Sequence, residues 1–236
     1  MSKHEYGPFE ALVAEVRNAS IDRWQTVEKK FIDVVEAFDS EYAAGGRSSG
    51  WYQAKARYFN DIIVALISNA SGKTFSMRCK RSSQLFDKID IDICFPEEGD
   101  PVVAGEVKAL GTPPHPGNEG TARPGARDLH KRVREVAFTS MDLKAAYAPP
   151  QPMGSFQAWV DSTSPGYFAF WAVRANDESD LESVRTTLSS LRNYCNGVAA
   201  VIYMPKSPES PTSYVVKKLA DLANDKTIRE MAQRVS

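Results

Sequence analysis

The sequence predicts an α/β fold, a mixed β-sheet flanked by helices and preceded by a helical N-terminal extension. Three observations predict it. Apolar residues recur at three-and-four spacing through the first third of the chain, the signature of helix. Residues 87–95 then alternate strictly between polar and apolar, the two-residue period of a strand. Beyond them, helical stretches alternate with short apolar runs, the pattern of strands joined by crossover helices, so that parallel and antiparallel pairs share one sheet.

Taken in order, Ile21, Trp24, Val27, Phe31, Val34, Val35 and Phe38 fall on one helix face. Gly45, Gly46 and Gly50, with two serines between, break the chain. A second helix is expected over 52–69, its apolar set including Tyr58, Phe59, Ile62, Ile63, Leu66 and Ile67. Ser71-Gly72-Lys73-Thr74 invites a phosphate-loop reading, but the glycine that motif needs five positions before Gly72 is Ile67. Gly72 reads instead as a helix stop, and no nucleotide cofactor is expected. Strands are expected over 74–81, 87–95 and 101–110, the last two joined by a turn at Glu97-Glu98-Gly99-Asp100. A Gly/Pro-rich loop follows over 111–125, then a helix over 126–147. Tyr167, Phe168, Phe170 and Trp171 read as a core strand spanning 167–174. A helix over 179–194 carries Asp180 and Glu182 near its positive end. Residues 198–204 form a short apolar run suited to a buried strand, and from about residue 213 the chain reads as helix.

Composition narrows the function classes. At 236 residues, with 42% hydrophobic and 25% charged, the chain is an ordinary globular domain rather than a disordered or fibrous one. No stretch approaches 18 uncharged apolar residues, so no membrane span is expected. The first residues lack the apolar core of a secretory signal. Cys79, Cys94 and Cys195 are an odd number without close spacing, which argues against a disulfide framework and against a cysteine zinc site. A cytoplasmic protein is the simplest expectation. A net charge of −1 means that any nucleic-acid binding must come from a local basic surface.

Chemistry concentrates in the hairpin of 87–110. On the first strand Ile89, Ile91, Ile93 and Phe95 point to one face, to be buried, and Lys88, Asp90, Asp92 and Cys94 to the other. On the second, Ala104, Glu106 and Lys108 share a face. A turn centred on Gly99 sets Asp92 across from Glu106 and Asp90 across from Lys108, a register that a one-residue slip would change. Carboxylates so gathered repel one another. A bound divalent cation resolves the repulsion, and carboxylate oxygens suit Mg²⁺ or Mn²⁺. A solvated sheet face is the plain alternative for Asp90 and Asp92 alone.

Asp92, thirteen intervening residues and then Glu106-Val107-Lys108 resemble the active site of the PD-(D/E)xK nuclease superfamily, which includes many type II restriction endonucleases. The resemblance implies a restriction-endonuclease-like core, in the order helix, three antiparallel strands, helix, strand, over about two-thirds of the chain. It divides a single domain into a helical extension (1–50), a catalytic core with an added helix and strand (51–204) and a C-terminal helix (205–236). It also implies that Asp92 and Glu106, with the Val107 carbonyl, hold Mg²⁺. Lys108 then orients the attacking water and stabilises charge on the scissile phosphate, and Asp90 holds a second metal or supports the first. Isoleucine, not proline, precedes each aspartate, which leaves Asp90 or Asp92 open as the principal ligand.

The expected activity is therefore hydrolysis of DNA phosphodiesters, most simply by a homodimer that presents one site to each strand of a duplex. Arg123, Arg127, His130, Lys131, Arg132 and Arg134 follow the Gly/Pro loop, with Arg127, Lys131 and Arg134 able to share a helix face. Such a face could clamp phosphates, although a solvated helix surface would look the same. His115 and His130 lack partners for a zinc site, and no Gly-x-Ser-x-Gly elbow supports an esterase. The competing readings are another nuclease of the same superfamily, acting in repair, in a phage or on modified DNA, and an inactive DNA-binding or interaction module of the same fold. A helical scaffold with an incidental sheet is the weakest.

Overall fold

A computed structural model of the chain describes residues 5–45, 51–118, 120–147, 155–162, 164–219, 222 and 224–236. Six strands form one sheet in sequence order: β1 (Ser76–Ser82), β2 (Lys88–Phe95), β3 (Val103–Leu110), β4 (Gly166–Arg174), β5 (Gly197–Ser207) and β6 (Ser210–Lys217). Strands β1 to β3 are an antiparallel meander, β3, β4 and β5 are parallel, and β6 returns antiparallel on β5. The two parallel steps need long crossovers. Helix α4 (Ala126–Tyr147) with the short α5 (Phe156–Ser162) supplies the first, and α6 (Glu178–Ser190) the second. Before the sheet come α1 (Gly7–Asn18), α2 (Trp24–Ala43) and α3 (Tyr52–Ser71), and α7 (Asn224–Gln233) follows it.

Each face of the sheet has its own core. On one, Leu129, Val133 and Val136 of α4 and Val184 and Leu188 of α6 pack on Tyr167, Ala169 and Trp171 of β4. On the other, α1, α2, α3 and α7 enclose Phe9, Trp24, Phe31, Phe38 and Phe59 together with Phe168 and Phe170 from β4. All nine residues of β4 are buried, which is why it reads as a continuous apolar run. Gly72 ends α3 in the left-handed conformation (φ 67°), the stop expected of it.

Three expectations need correction. Residues 213–217 are strand, not helix: β5 and β6 form a hairpin turning at Pro208-Glu209, and the C-terminal helix begins at Asn224. The β-branched pair Val215-Val216 beside Tyr214 fits a strand better than a helix. In the N-terminal extension, Phe9, Leu12, Val13 and Val16 of α1, spaced three and four apart, lie in the same core as α3. Cys79 and Cys94 are joined by a disulfide between β1 and β2, and Cys195 is a buried free thiol. Finally, the isoleucines of β2 do not share a face, because Ile89 and Ile91 pack toward α4 while Ile93 and Phe95 pack toward the N-terminal helices.

Beyond β3 the chain folds back tightly on β4. Gly111 adopts φ +90°, and a Cβ there would lie 2.8 Å from the Arg174 Cβ and 2.9 Å from both the Arg174 carbonyl oxygen and the Gly125 nitrogen. Gly111→Ala is expected to lower stability by about 2–5 kcal/mol, from left-handed strain plus overpacking against backbone. Urea denaturation measures it, and an unchanged midpoint would show that this loop is not packed on β4.

Candidate active site at the fork between two strands

The switch of faces in β2 occurs at Asp92, where the sheet forks. The β2–β3 ladder pairs Phe95 with Val103, Cys94 with Ala104 and Ile93 with Gly105, and goes no further. Past that point β2 stays with β1 and β3 stays with β4. Asp92 sits in the fork, where its Oδ2 accepts a hydrogen bond from the Val107 backbone N–H at 2.9 Å and so replaces the missing strand carbonyl. In an extended strand a residue's N–H and C=O project to the same side, so the Val107 carbonyl faces the fork as well. Across β1, Arg78 lies at the level of Asp92, between the pairs Met77–Ile93 and Cys79–Ile91, and adopts φ 57°. A positive φ is uncommon for a residue other than glycine.

Three side chains of the expected site meet in the fork. The Lys108 ammonium lies 3.2 Å from Asp92 Oδ2 and also donates to Glu106 Oε2. Glu106 is only 7% exposed. Burial pushes its carboxyl up to about 7, with Lys108 opposing the shift and Asp92 adding to it. Burial alone would lower the Lys108 ammonium, but Glu106 and Asp92 outweigh it and hold the pKa above the ordinary lysine value. The Tyr167 phenol, buried on β4, is held well above its usual value by burial first and by the nearby Glu106 charge next. The fork is therefore a place where negative charge is crowded and positive charge is welcome.

The other expected residues are placed differently. Asp90 is exposed and pairs with Lys80 of β1, so the register that would set it across from Lys108 is lost where the strands part. Among the described residues it forms no ion pair with Lys108, which bonds to Asp92 and Glu106 instead. Arg123, Arg127, His130, Lys131 and Arg134 are all exposed. Arg123 pairs with Asp128 at 2.7 Å. His130 and Arg134 line a groove of about 600 Å³ between α4 and α6, together with Phe138 and Met141. Among the described residues none of the five lines the cleft at Asp92 or hydrogen-bonds to Asp92, Glu106 or Lys108. His115 stacks near the Tyr42 ring and accepts from the Gly117 N–H.

On the side of the N-terminal helices Asp92 and Val107 line a cleft of about 450 Å³, which neither Glu106 nor Lys108 lines. Its lining includes Arg57, Asn60 and Asp61 of α3, Arg78 of β1, Asp92 and Val107. Sequence reasoning missed Arg78, and missed the three on α3 because it read that helix only for its apolar face. The signal was there: Gln53, Arg57, Asn60 and Asp61 make a polar stripe at helical spacing on an otherwise apolar helix.

Asp92 and Glu106 with the Val107 carbonyl form an all-oxygen set of the kind hard divalent cations prefer. The Lys108 ammonium already bridges the two carboxylates, so the position accepts positive charge. Among the described residues no cluster gathers three or more His, Cys, Asp or Glu side chains, so any ion here would rest on two carboxylates, backbone and solvent or substrate. No protein-family model, no curated protein and no solved structure matches this chain.

Proposed function

We propose that the chain is a Mg²⁺-dependent endonuclease that hydrolyses DNA phosphodiester bonds, in the manner of the PD-(D/E)xK superfamily, with site-specific restriction of double-stranded DNA as its role. The observation that carries the reading is the meeting of Asp92, Glu106 and Lys108 where β2 leaves β3. Charged residues on a merely solvated sheet face would not converge on a buried glutamate, nor would the aspartate occupy the fork. A helix before a three-strand antiparallel meander, then a helix and a parallel strand, also supports the resemblance.

In this reading Asp92 and Glu106 hold the metal, with Val107 offering its carbonyl. When bound, the metal would lower the pKa of a coordinated water and act as a Lewis acid at the phosphate. Lys108 would orient the attacking water and place a fixed positive charge beside the phosphate as it is attacked. Burial of Glu106 against β4 limits competing solvent. A two-fold homodimer would bring one fork to each strand. The DNA substrate itself argues for a cytoplasmic protein, while the Cys79–Cys94 disulfide, a bond rare in that compartment, argues against it. No helix among the described residues is long and apolar enough to cross a membrane.

Glu106→Ala tests the assignment. It is expected to abolish metal-dependent cleavage and to weaken Mn²⁺ binding, followed by titration calorimetry, by at least tenfold. Survival of both metal binding and cleavage would remove Glu106 from the site.

A further inference from the structure

Resting on the nuclease reading, we propose that the cleft on the α3 side of Asp92 is the track of the DNA strand being cut, with Arg57 and Arg78 as the groups that hold the phosphates beside the scissile one. Arg57 and Arg78 line the same cleft as Asp92 and Val107, and none of the basic residues expected after the Gly/Pro loop lines it. Three further features point the same way.

First, Arg78 occupies a left-handed backbone conformation inside a strand, at the level of Asp92. Such a conformation costs an arginine free energy that a glycine would not lose, and strain of this kind clusters at functional sites. Second, Asn60 is 8% exposed, lines the cleft, and its buried Oδ1 has no hydrogen-bond partner among the described residues. A buried amide left unpaired is costly, and a strand in the cleft offers sugar and base groups, or an ordered water, to complete it. Third, the charges are arranged to accept an anion once a cation is bound. The cleft carries Arg57 and Arg78 against Asp61 and Asp92. A metal would neutralise Asp92. Asp61 also faces Arg17, which lines the adjoining hollow with Arg57. Asp61 thus keeps the arginines in check when no DNA is present.

The test is binding of a fluorescein-labelled DNA duplex in Ca²⁺, which permits binding without turnover, read by anisotropy over a series of salt concentrations. Arg57→Gln and Arg78→Gly should each lower the slope of log affinity against log salt by about 0.9, one phosphate contact apiece. Arg78→Gly should melt no lower than the wild type, since glycine takes positive φ without penalty, so loss of binding would not reflect loss of fold. Asp61→Asn, which removes a negative charge from the cleft, should bind DNA more tightly than the wild type. If the wild type binds and cuts DNA but both arginine variants keep its slope and Asp61→Asn its affinity, the strand does not run through this cleft and the nuclease reading stands. If the wild type neither binds nor cuts DNA, the nuclease reading falls and this inference with it.

Discussion

Lys108→Ala is expected to reduce the rate of DNA cleavage by about a thousandfold, because a preorganised charge aimed at a transition state is worth roughly 10²–10³ in rate or more in a site shielded from water. Binding of DNA in Ca²⁺ should change far less. The variant should also be less stable than the wild type without divalent metal. Lys108 bridges Asp92 and Glu106, and its removal leaves two neighbouring carboxylates, one of them buried, with no counter-charge. Added Mg²⁺ should then raise the melting temperature of the variant more than that of the wild type. Cleavage within tenfold of the wild-type rate would show that Lys108 balances charge only and takes no part in the reaction.

The second large effect lies away from the fork. Asp39 of α2 and Lys55 of α3 are fully buried and 3.4 Å apart. Tyr52 and Tyr214 donate their hydroxyls to Asp39 at 2.7 and 2.6 Å, and Lys55 donates to Tyr52, to Tyr203 and to the Gly111 carbonyl. This network ties the N-terminal helices to β5, β6 and the loop after β3. Asp39→Ala strands a buried ammonium and two buried hydroxyls, and is expected to cost about 3–5 kcal/mol, lowering the melting temperature by roughly 10 °C in a chain of this size. A double variant, Asp39→Leu with Lys55→Met, should recover much of the loss. Burial lowers the Lys55 pKa to about 8 from 10.5, with Asp39 opposing the shift. Above pH 8 the folded protein releases this proton, while the unfolded chain holds it up to about 10.5. At this group the unfolded state therefore binds more protons in that window, and the Lys55 contribution to stability rises with pH across it. Lys144, also lowered to about 8, contributes in the same window, so the difference between wild type and Lys55→Met isolates Lys55. An identical pH profile for the two proteins would contradict the assignment.

The parts of the fold legible in the sequence are those with a strong period. The apolar stripe of α3, the buried run of β4 and the turn at Gly99 each specify their element, and the inferred register of β2 on β3 agrees with the pairing of Ile93 with Gly105. What was not legible is where that pairing stops. Periodicity assumes a regular strand, and the fork at Asp92 with the irregularity at Arg78 breaks it, so Ile91 and Ile93 part to opposite faces and Asp90 is carried away from Lys108. The disulfide was illegible for a similar reason. Cys79 and Cys94 are brought together by strand pairing, not by spacing, and an odd cysteine count says nothing of which two meet. Arg57, Asn60 and Asp61 were hidden because the polar face of a helix reads as a solvated one until a neighbouring strand turns it into the wall of a cleft.

The most direct measurement is incubation of the purified chain with methylated and unmethylated plasmid DNA, with Mg²⁺ and with EDTA, beside an Asp92→Asn variant. Discrete fragments that form only with Mg²⁺ and only with the wild-type chain are the predicted result, and the methylation arm then separates restriction from action on modified DNA. DNA left intact by the wild type under every metal condition, or fragments that persist with Asp92→Asn, would contradict the assignment of the fork as a nuclease site.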